Sequence, residues 1–369
     1  MIKREDIEEL KKRDFLEKRD YYNKYAGVKS YKLFGEYRKS DPLVTIVMPI
    51  YNHPLECVER ALRSAINQID FDNYQIIVVD NDAEGKNDNI SVVKKINSDK
   101  VIYFRNEKNL GMFGNWNRCI LLARSEWITF LHSDDILAKD ALKILTTIVM
   151  QHPEIDQLAS SSVNYSVDNI KNETVESITQ KKSINLCKVK RVRYEKYFDA
   201  MATSVKGALL KKECLLEIGG FRDMGDGLGV DDYICMTKYA YYFKTYYVDV
   251  ITYLNGYGVN ETLNLSIWYP EMIANYYMQL CLIREKNILV SNLYRRRYIS
   301  SLYRKAEQYN SGKNFSGQII PIDIAEMERD CGLNGNQNTI FNLFCRKLTS
   351  LGQKISNKFE HDKFSVKLS

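Results

Sequence analysis

The sequence predicts an α/β protein with a doubly wound, mainly parallel sheet, a helical N-terminal extension and a helical C-terminal module. Short apolar runs rich in β-branched residues alternate with amphipathic helical segments between residues 43 and 151. Such alternation favours a parallel sheet that is covered by helices on both faces. The length of 369 residues exceeds the usual size of one domain, so we expect one full α/β domain with smaller segments attached to it.

Composition and charge exclude several classes of protein. Hydrophobic residues make up 45% of the chain and charged residues 27%, which excludes a collagen-like or wholly disordered chain. The net charge of +6 is modest for this length, so we expect no nucleic-acid partner. No apolar run approaches the roughly 20 residues that span a bilayer, and the first residues lack the apolar stretch of a signal peptide. We therefore expect a cytoplasmic protein.

The N-terminal extension, residues 1–41, is dominated by charged residues. Pairs spaced i,i+4, such as Glu8 with Lys12, accompany a few apolar positions. This pattern predicts a surface helix followed by a linker. The chain changes character at Pro42, and we expect the α/β domain to begin there.

The α/β domain, over residues 42–255, opens with alternating elements. Apolar runs predict strands over residues 43–52, 74–80, 100–104 and 127–131. Helical patterns predict helices over residues 54–68, 89–98, 111–124 and 137–151.

Polar clusters follow three of the four predicted strands. They are Tyr51-Asn52 after the first strand, Asp80-Asn81-Asp82 after the second, and His132-Ser133-Asp134-Asp135 after the fourth. The carboxyl ends of parallel strands meet at one edge of the sheet, where helix N-termini converge on a crevice. The residues alone therefore indicate a doubly wound α/β protein with an acidic crevice.

A family resemblance rests on four segments in order: VTIVMPIYN, IIVVDNDAEG, NEKNLGMFGNWNRCILLARSEWITFLHSDDIL and KGALLKKECLLEIGGFRDMGDGLGVDDYICMTKYAYYF. Over roughly residues 43–255 they resemble the family 2 glycosyltransferases, which have the nucleotide-sugar-binding GT-A fold. The resemblance implies inverting transfer from a UDP-sugar to a hydroxyl of a glycan or lipid-linked saccharide. Surface polysaccharide synthesis is the process we expect it to serve.

Transfer from a nucleoside-diphosphate sugar leaves a diphosphate, whose charge needs a divalent cation or fixed cationic groups. The scattered cysteines and histidines show no metal-ligand spacing, and carboxylate oxygens suit Mg2+ or Mn2+. The acidic pair Asp134-Asp135 matches the family's metal motif, although His132 stands where many members have the first acidic residue. We predict Asp135 as metal ligand, with Asp134 contacting ribose or metal. The alternative is that the pair caps a helix beginning near Leu137.

The nucleotide contacts follow from the same resemblance. It implies that Asp80 accepts a hydrogen bond from the uracil or ribose, and that the turn from Pro49 to Tyr51 forms the pocket of the base. A buried carboxylate discriminates a base well, because a wrong partner leaves it unpaired.

Two further segments have open interpretations. Asp82 either contacts the nucleotide or is an Asx-turn residue of its own loop. Asn109-Leu110-Gly111 resembles an Asn-x-Gly segment that lies near the nucleotide in the family. Its alternative is a turn before the next helix.

The candidate base lies in the glycine-rich stretch over residues 219–232, which ends in Asp231 and Asp232. Flexible glycines allow a loop to close over the donor and deliver a base to the acceptor. The family usually has Glu-Asp here, so we predict Asp232 as the base with Asp231 in place of the glutamate. The alternative is that both aspartates cap the helix that follows.

The sequence pattern predicts that the C-terminal module, residues 256–369, is helical. Within residues 339–359 apolar side chains recur every three or four positions and make one stripe. Lys347, Lys354 and Lys358 border this stripe. The segment either lies in an anionic membrane surface, which makes the protein peripheral on the inner face of the cell membrane, or packs on the catalytic domain.

Two other functions stay open at this stage. A nucleotidyltransferase uses an α/β crevice with metal-binding aspartates in the same way. A non-catalytic assembly protein with a degenerate nucleotide-sugar site is the second, because His132 and Asp231 depart from the family pattern.

Overall fold

The sheet and the helices that flank it are seen in a computed structural model of the chain. The structure describes residues 18, 20, 22–166, 186–198, 202–222, 231–257 and 363–368. Across these ranges the strands join into one eleven-stranded sheet.

The helices in chain order are α1 (Asn23–Ala26), α2 (Leu55–Ile66), α3 (Asn89–Ile96), α4 (Gly111–Leu122), α5 (Ala141–Gln151), α6 (Lys212–Glu217) and α7 (Asp231–Tyr242). A 3-10 helix occupies Tyr194–Phe198. The strands are β1 (Ser30–Phe34), β2 (Val44–Ile50), β3 (Tyr74–Asp80), β4 (Val101–Asn106), β5 (Trp127–Phe130), β6 (Ile136–Leu137), β7 (Gln157–Ser166), β8 (Leu186–Val192), β9 (Leu209–Lys211), β10 (Thr245–Tyr257) and β11 (Lys363–Lys367).

The strand order is β1-β4-β3-β2-β5-β9-β7-β10-β8-β11, and β6 pairs with β10. Strands β4, β3, β2 and β5 are parallel neighbours, and β7 is parallel to β10. The parallel core predicted from the alternating elements is therefore confirmed. Beyond it, β9 is antiparallel to both of its neighbours, so the complete sheet is mixed.

Both faces of the sheet are covered, as a doubly wound fold requires. Alternate residues of β2 point to opposite sides, so Ile46 packs in one buried cluster and Val47 in the other. The first cluster includes Leu62 of α2, and the second includes Ile120 of α4 and Met236 of α7. Two apolar layers thus hold the carboxyl ends of the central strands at a fixed edge.

The N-terminal extension differs from its prediction. Instead of a helix and linker throughout, its described part has the single-turn helix α1 and then strand β1, antiparallel to β4. Every residue of β1 is partly or fully exposed, including Tyr31 and Leu33. An edge strand that buries so little apolar surface carries no strong strand signal in its sequence. Residues 1–17 lie outside the described residues.

The C-terminal region also contains a strand where helices were predicted. Strand β11 is antiparallel to β8, and its Val366 is buried in the first cluster. Strand β10 extends two residues past the predicted domain end at 255. The stripe over residues 339–359 lies outside the described residues. Among the helices that the structure does describe, none has the length and apolar character needed to cross a membrane.

Candidate active site

Three polar segments meet at the carboxyl edge of the parallel core. Strands β3, β2 and β5 are neighbours and end at Asp80, Ile50 and Phe130. The side chains of Asp80, Asp134 and Asp135 are all buried there. Buried carboxylates are costly unless they are paired or hydrogen-bonded, so the partners of each one indicate its role.

The carboxylate of Asp80 is held by the fold on both oxygens. Its Oδ1 accepts a hydrogen bond from the backbone N–H of Asp82 at 3.0 Å. Its Oδ2 accepts one from the hydroxyl of Tyr103, and the guanidinium of Arg105 lies 3.3 Å from the same oxygen. Burial raises the pKa of Asp80, and these hydrogen bonds and the Arg105 charge oppose that rise. Asp80 is therefore fixed rigidly where the nucleotide is expected.

The carboxylate of Asp82 closes its own loop. It accepts backbone N–H hydrogen bonds from Gly85 at 3.1 Å and from Asn87 at 2.8 Å. The side chain of Asn87 in turn donates to the carbonyl of His53 at 2.8 Å, which ties this loop to the turn before α2. These contacts support the Asx-turn interpretation of Asp82.

The segment from Asn109 to Gly111 is a turn locked against Asn81. The amide of Asn81 donates to Oδ1 of Asn109 at 2.7 Å and to the carbonyl of Gly111 at 3.1 Å. Its own oxygen accepts from the backbone N–H of Leu110 at 2.9 Å and from the side chain of Asn106 at 3.1 Å. Gly111 has φ +73°, which favours glycine. The predicted turn alternative is therefore observed here at the N-terminus of α4.

Capping does not explain the acidic pair Asp134-Asp135. Helix α5 begins at Ala141, and the residue that precedes it is Asp140. The alternative in which the pair caps a helix starting near Leu137 is therefore wrong, because Leu137 belongs to the short strand β6.

Asp135 is bound on both of its carboxylate oxygens. Its Oδ1 accepts the backbone N–H of Gly256 at 2.7 Å. Its Oδ2 accepts the hydroxyl of Tyr253 and lies 3.3 Å from the ammonium of Lys206. Burial raises the pKa of Asp135 to about 6, against the lowering effect of Lys206. The residue predicted as metal ligand thus has three partners within the fold.

Asp134 is the more available carboxylate. Its backbone carbonyl accepts the hydroxyl of Tyr165, but no described residue donates a hydrogen bond to its carboxylate. The ligand atoms of His132, Asp134 and Asp135 lie within 4.8 Å of one another. Nε2 of His132 is buried without a hydrogen-bond partner, and burial holds the pKa of this imidazole well below its usual range, so the ring is neutral. One free carboxylate beside a neutral imidazole fits a divalent cation.

The predicted base Asp232 lies in the first turn of α7. Its Oδ1 accepts the backbone N–H of Tyr233 at 2.7 Å, a contact that also helps to begin the helix. Burial raises the pKa of Asp232, while the charge of Lys206 opposes the rise. The side chain of Asp231 and residues 223–230 lie outside the described residues.

Sequence reasoning assigned no role to Lys206, Tyr253 or Gly256. All three contact Asp135, yet they stand 71 to 121 positions away from it along the chain. Lys206 is the first residue of the segment KGALL, and its backbone forms a β-bridge with Phe130 at the end of β5. The sequence feature that could have drawn attention to Lys206 is its position immediately before an apolar run.

Comparison with known proteins identifies the domain. The family described as "Glycosyl transferase family 2" matches residues 45–218. An uncharacterized glycosyltransferase of Methanocaldococcus jannaschii is 32% identical over 128 residues, which are 35% of this chain and 43% of that protein. The abequosyltransferase RfbV of Salmonella typhimurium is 34% identical over 115 residues, 31% of this chain and 34% of that protein.

A third relative is the GalNAc(5)-diNAcBac-PP-undecaprenol beta-1,3-glucosyltransferase of Campylobacter jejuni. It is 35% identical over 107 residues, which are 28% of this chain and 33% of that protein. This chain therefore spans less than half the length of each of these three relatives.

Solved structures show the same fold. S. aureus TarS 1–349 with UDP-GlcNAc matches with a TM-score of 0.54 at 15% identity, over 74% of this chain and 76% of that one. The same protein with UDP matches with a TM-score of 0.53 at 15% identity, over 78% and 77% of the two chains. Residues 45–218 of this chain therefore match the glycosyl transferase family 2 model, and the chain has the GT-A fold of TarS.

Proposed function

We propose that the protein is an inverting glycosyltransferase that moves one sugar from a UDP-sugar to a hydroxyl of a glycan or lipid-linked saccharide. The observation that carries this proposal is the gathering of Asp80, Asp134 and Asp135 at one edge of a family 2 domain. A UDP donor is favoured because TarS, which shares the fold, binds UDP-GlcNAc and UDP. The name of the Campylobacter relative, which includes an undecaprenol-linked saccharide, favours a lipid-linked acceptor, and surface polysaccharide synthesis is the process we propose for it.

The nucleotide would lie along the ends of β2 and β3. Tyr51 is 45% exposed directly after β2, so its ring is accessible to a base beside Pro49. Asp80 would accept a hydrogen bond from the uracil or ribose. Asp82 and the turn at Asn109 to Gly111 would act indirectly, because their polar groups already bond the loops that shape this pocket.

A divalent cation, Mg2+ or Mn2+, would neutralise charge on the departing diphosphate. We place Asp134 as its principal carboxylate ligand, since no described residue occupies that group. His132 is close enough to contribute its neutral imidazole. Asp135 adds negative charge nearby, but its oxygens already serve Tyr253, Gly256 and Lys206.

Asp232 would remove the proton from the acceptor hydroxyl as its oxygen attacks the anomeric carbon. Attack from the side opposite the diphosphate inverts the configuration and needs no covalent intermediate with the enzyme. Burial raises the pKa of Asp232, which makes its carboxylate a stronger base than an exposed aspartate. Asp231 is the second candidate for the same role.

The location of the protein follows from its proposed acceptor. We place it in the cytoplasm, peripherally bound to the inner face of the cell membrane through residues 339–359. A lipid-linked acceptor would make such contact useful, because the acceptor itself is held at the bilayer surface.

Product analysis tests the proposal. The full chain is incubated with a panel of UDP-sugars and lipid-linked acceptors, with and without Mn2+, and an Asp232→Asn variant serves as the matched control. Free UDP and a glycoside of inverted configuration are expected. Pyrophosphate would instead indicate a nucleotidyltransferase, and nucleotide binding without turnover would indicate a non-catalytic assembly protein.

A further inference from the structure

Lys206 holds a fixed position inside the candidate site. Its ammonium donates to Oδ1 of Asn255 at 2.7 Å and lies 3.3 Å from Oδ2 of Asp135. Its backbone bridges to Phe130 at the end of β5, the strand that leads into the acidic pair. Anchors at both ends of this side chain therefore restrict where its charge can lie.

The residue after Lys206 adds to this restriction. Gly207 has φ +63°, and a Cβ built on it would lie 2.6 Å from the ring of Tyr253. Tyr253 is the same residue whose hydroxyl binds Asp135. The backbone at Gly207 and the carboxylate of Asp135 are thus packed against one tyrosine, which keeps the lysine and its partner together.

The charge of Lys206 affects carboxylates in both parts of the candidate site, the acidic pair and the candidate base. It acts on Asp135 in the acidic pair and on Asp232, the candidate base. Asp80 has a separate cationic partner in Arg105. Lys206 therefore contacts the acidic pair directly and lies close enough to the candidate base to influence its charge.

One hydrogen of the ammonium has no acceptor among the described residues. An ammonium carries three N–H donors. Two face Asn255 and Asp135, and the side chain is 20% exposed, so the third can bond an acceptor that is not one of the described residues. An anionic oxygen would satisfy it well, because hydrogen bonds between charged groups are roughly twice as strong as neutral ones.

We propose that Lys206 binds an oxygen of the donor's β-phosphate through this third N–H, and that Asp135 and Asn255 position its ammonium. The β-phosphate carries the sugar, so it is the phosphate that must lie between the acidic pair and the base. Its oxygen gains negative charge as the sugar departs, and a fixed cation there stabilises that charge. This inference rests on the proposed function.

Calorimetric titration of the full chain with uridine, UMP and UDP in Mg2+ buffer tests the inference. Lys206→Gln removes the charge and keeps a polar group near Asn255 and Asp135. We expect it to weaken UDP binding by about 10- to 100-fold, the value of one charge-assisted hydrogen bond, and to leave uridine and UMP unchanged. Lys206→Arg should restore part of the loss. Circular dichroism checks that each variant is folded.

Lys211→Gln is the matched control. Lys211 is also a mostly buried lysine in an ion pair, 3.0 Å from Asp156, but it lies outside the candidate site. Its substitution should leave all three affinities unchanged. An unchanged preference for UDP over UMP in folded Lys206→Gln overturns the inference, and so does an equal loss for both nucleotides. If the parent chain binds neither UMP nor UDP, the proposed function itself fails.

Discussion

The hydroxyl of Tyr103 donates a hydrogen bond to the buried carboxylate of Asp80, from the middle of β4 to the end of its parallel neighbour β3. The guanidinium of Arg105 contacts both groups, at 3.3 Å from each oxygen. Burial and the adjacent Asp80 charge raise the pKa of Tyr103 far above its usual range, so the phenol stays protonated and remains a donor. The predicted nucleotide contact is thus part of a buried triad that the fold itself needs.

Tyr103→Phe should therefore lower the free energy of unfolding by about 1–3 kcal/mol, because it leaves a buried carboxylate short of one donor. Urea denaturation followed by circular dichroism measures the change. Tyr37→Phe is the control, since the Tyr37 hydroxyl donates to the neutral carbonyl of Leu122 at 2.8 Å. That loss should cost only about 0.5–1.5 kcal/mol. Equal costs for the two variants would contradict a special role for the Asp80 charge.

Asp134→Asn and Asp135→Asn should have different effects. Asp134→Asn should abolish the gain in UDP affinity that Mn2+ provides, because its carboxylate is the one left available. Asp135→Asn should mainly lower the free energy of unfolding, because it weakens charged hydrogen bonds to Tyr253 and Lys206. Titration with and without EDTA, and urea denaturation, measure the two effects. If only Asp135→Asn loses the response to Mn2+, Asp135 is the metal ligand, as the sequence predicts.

Asp232→Asn should reduce the rate of transfer by about 100- to 10,000-fold and leave UDP affinity unchanged. An amide oxygen still accepts the N–H of Tyr233, so the start of α7 is preserved, but it cannot take a proton. Turnover and calorimetry are compared with Asp249→Asn, a change at a distant carboxylate that bonds Ser161. Near-normal turnover in Asp232→Asn would assign the base elsewhere, with Asp231 as the next residue to substitute.

The pH dependence of kcat/KM should report the same carboxylate. Only deprotonated Asp232 accepts a proton, so the rate falls as the pH drops through its pKa. Burial raises that pKa, which shifts the fall to a higher pH than an ordinary aspartate gives. Lys206→Gln removes a charge that lowers the pKa and should shift the fall higher still. If the fall of kcat/KM at low pH occurs at the same pH in this variant, the charge of Lys206 does not act on the base.

Membrane contact through residues 339–359 needs a test that keeps the sheet intact, since a truncation there would also remove β11. The triple substitution of Lys347, Lys354 and Lys358 by Glu reverses the charge beside the predicted stripe. It should abolish co-sedimentation with anionic vesicles at low salt, because each basic residue near the surface contributes about 1 kcal/mol.

A second triple variant controls for net charge. Lys29, Lys94 and Lys108 are exposed on the described domain, and their substitution by Glu changes the total charge equally. This control should sediment like the parent chain. Equal losses in both triple variants would assign the binding to overall charge, and a parent chain that stays in the supernatant would refute membrane contact.

Local sequence signals predicted the core of the fold. The run over residues 74–80 is β3 to the residue, and the helix predicted over 54–68 is observed over Leu55–Ile66. These elements are buried on one or both sides, so their apolar periodicity is strong. Strand β1 has no such signal because it is exposed, and β11 is too short and too polar to stand out from the helical pattern predicted around it.

The candidate site was predictable in its location but only partly in its contacts. The acidic pair and Asp80 follow from their positions at strand ends, which a single sequence shows. The ties of Asp135 to Lys206, Tyr253 and Gly256 depend on how β10 and the segment before β9 fold back on the parallel core. Periodicity describes one element at a time, so it does not reveal partners of this kind.

The return of the chain to the sheet at β11 makes residues 258–362 an insertion between two strands of one sheet. The entropic cost of closing a connection grows only with the logarithm of its length, so related chains can lengthen or shorten this region at little cost to the domain. A chain cleaved once within the region would keep β11 hydrogen-bonded to β8, and its two fragments would co-purify.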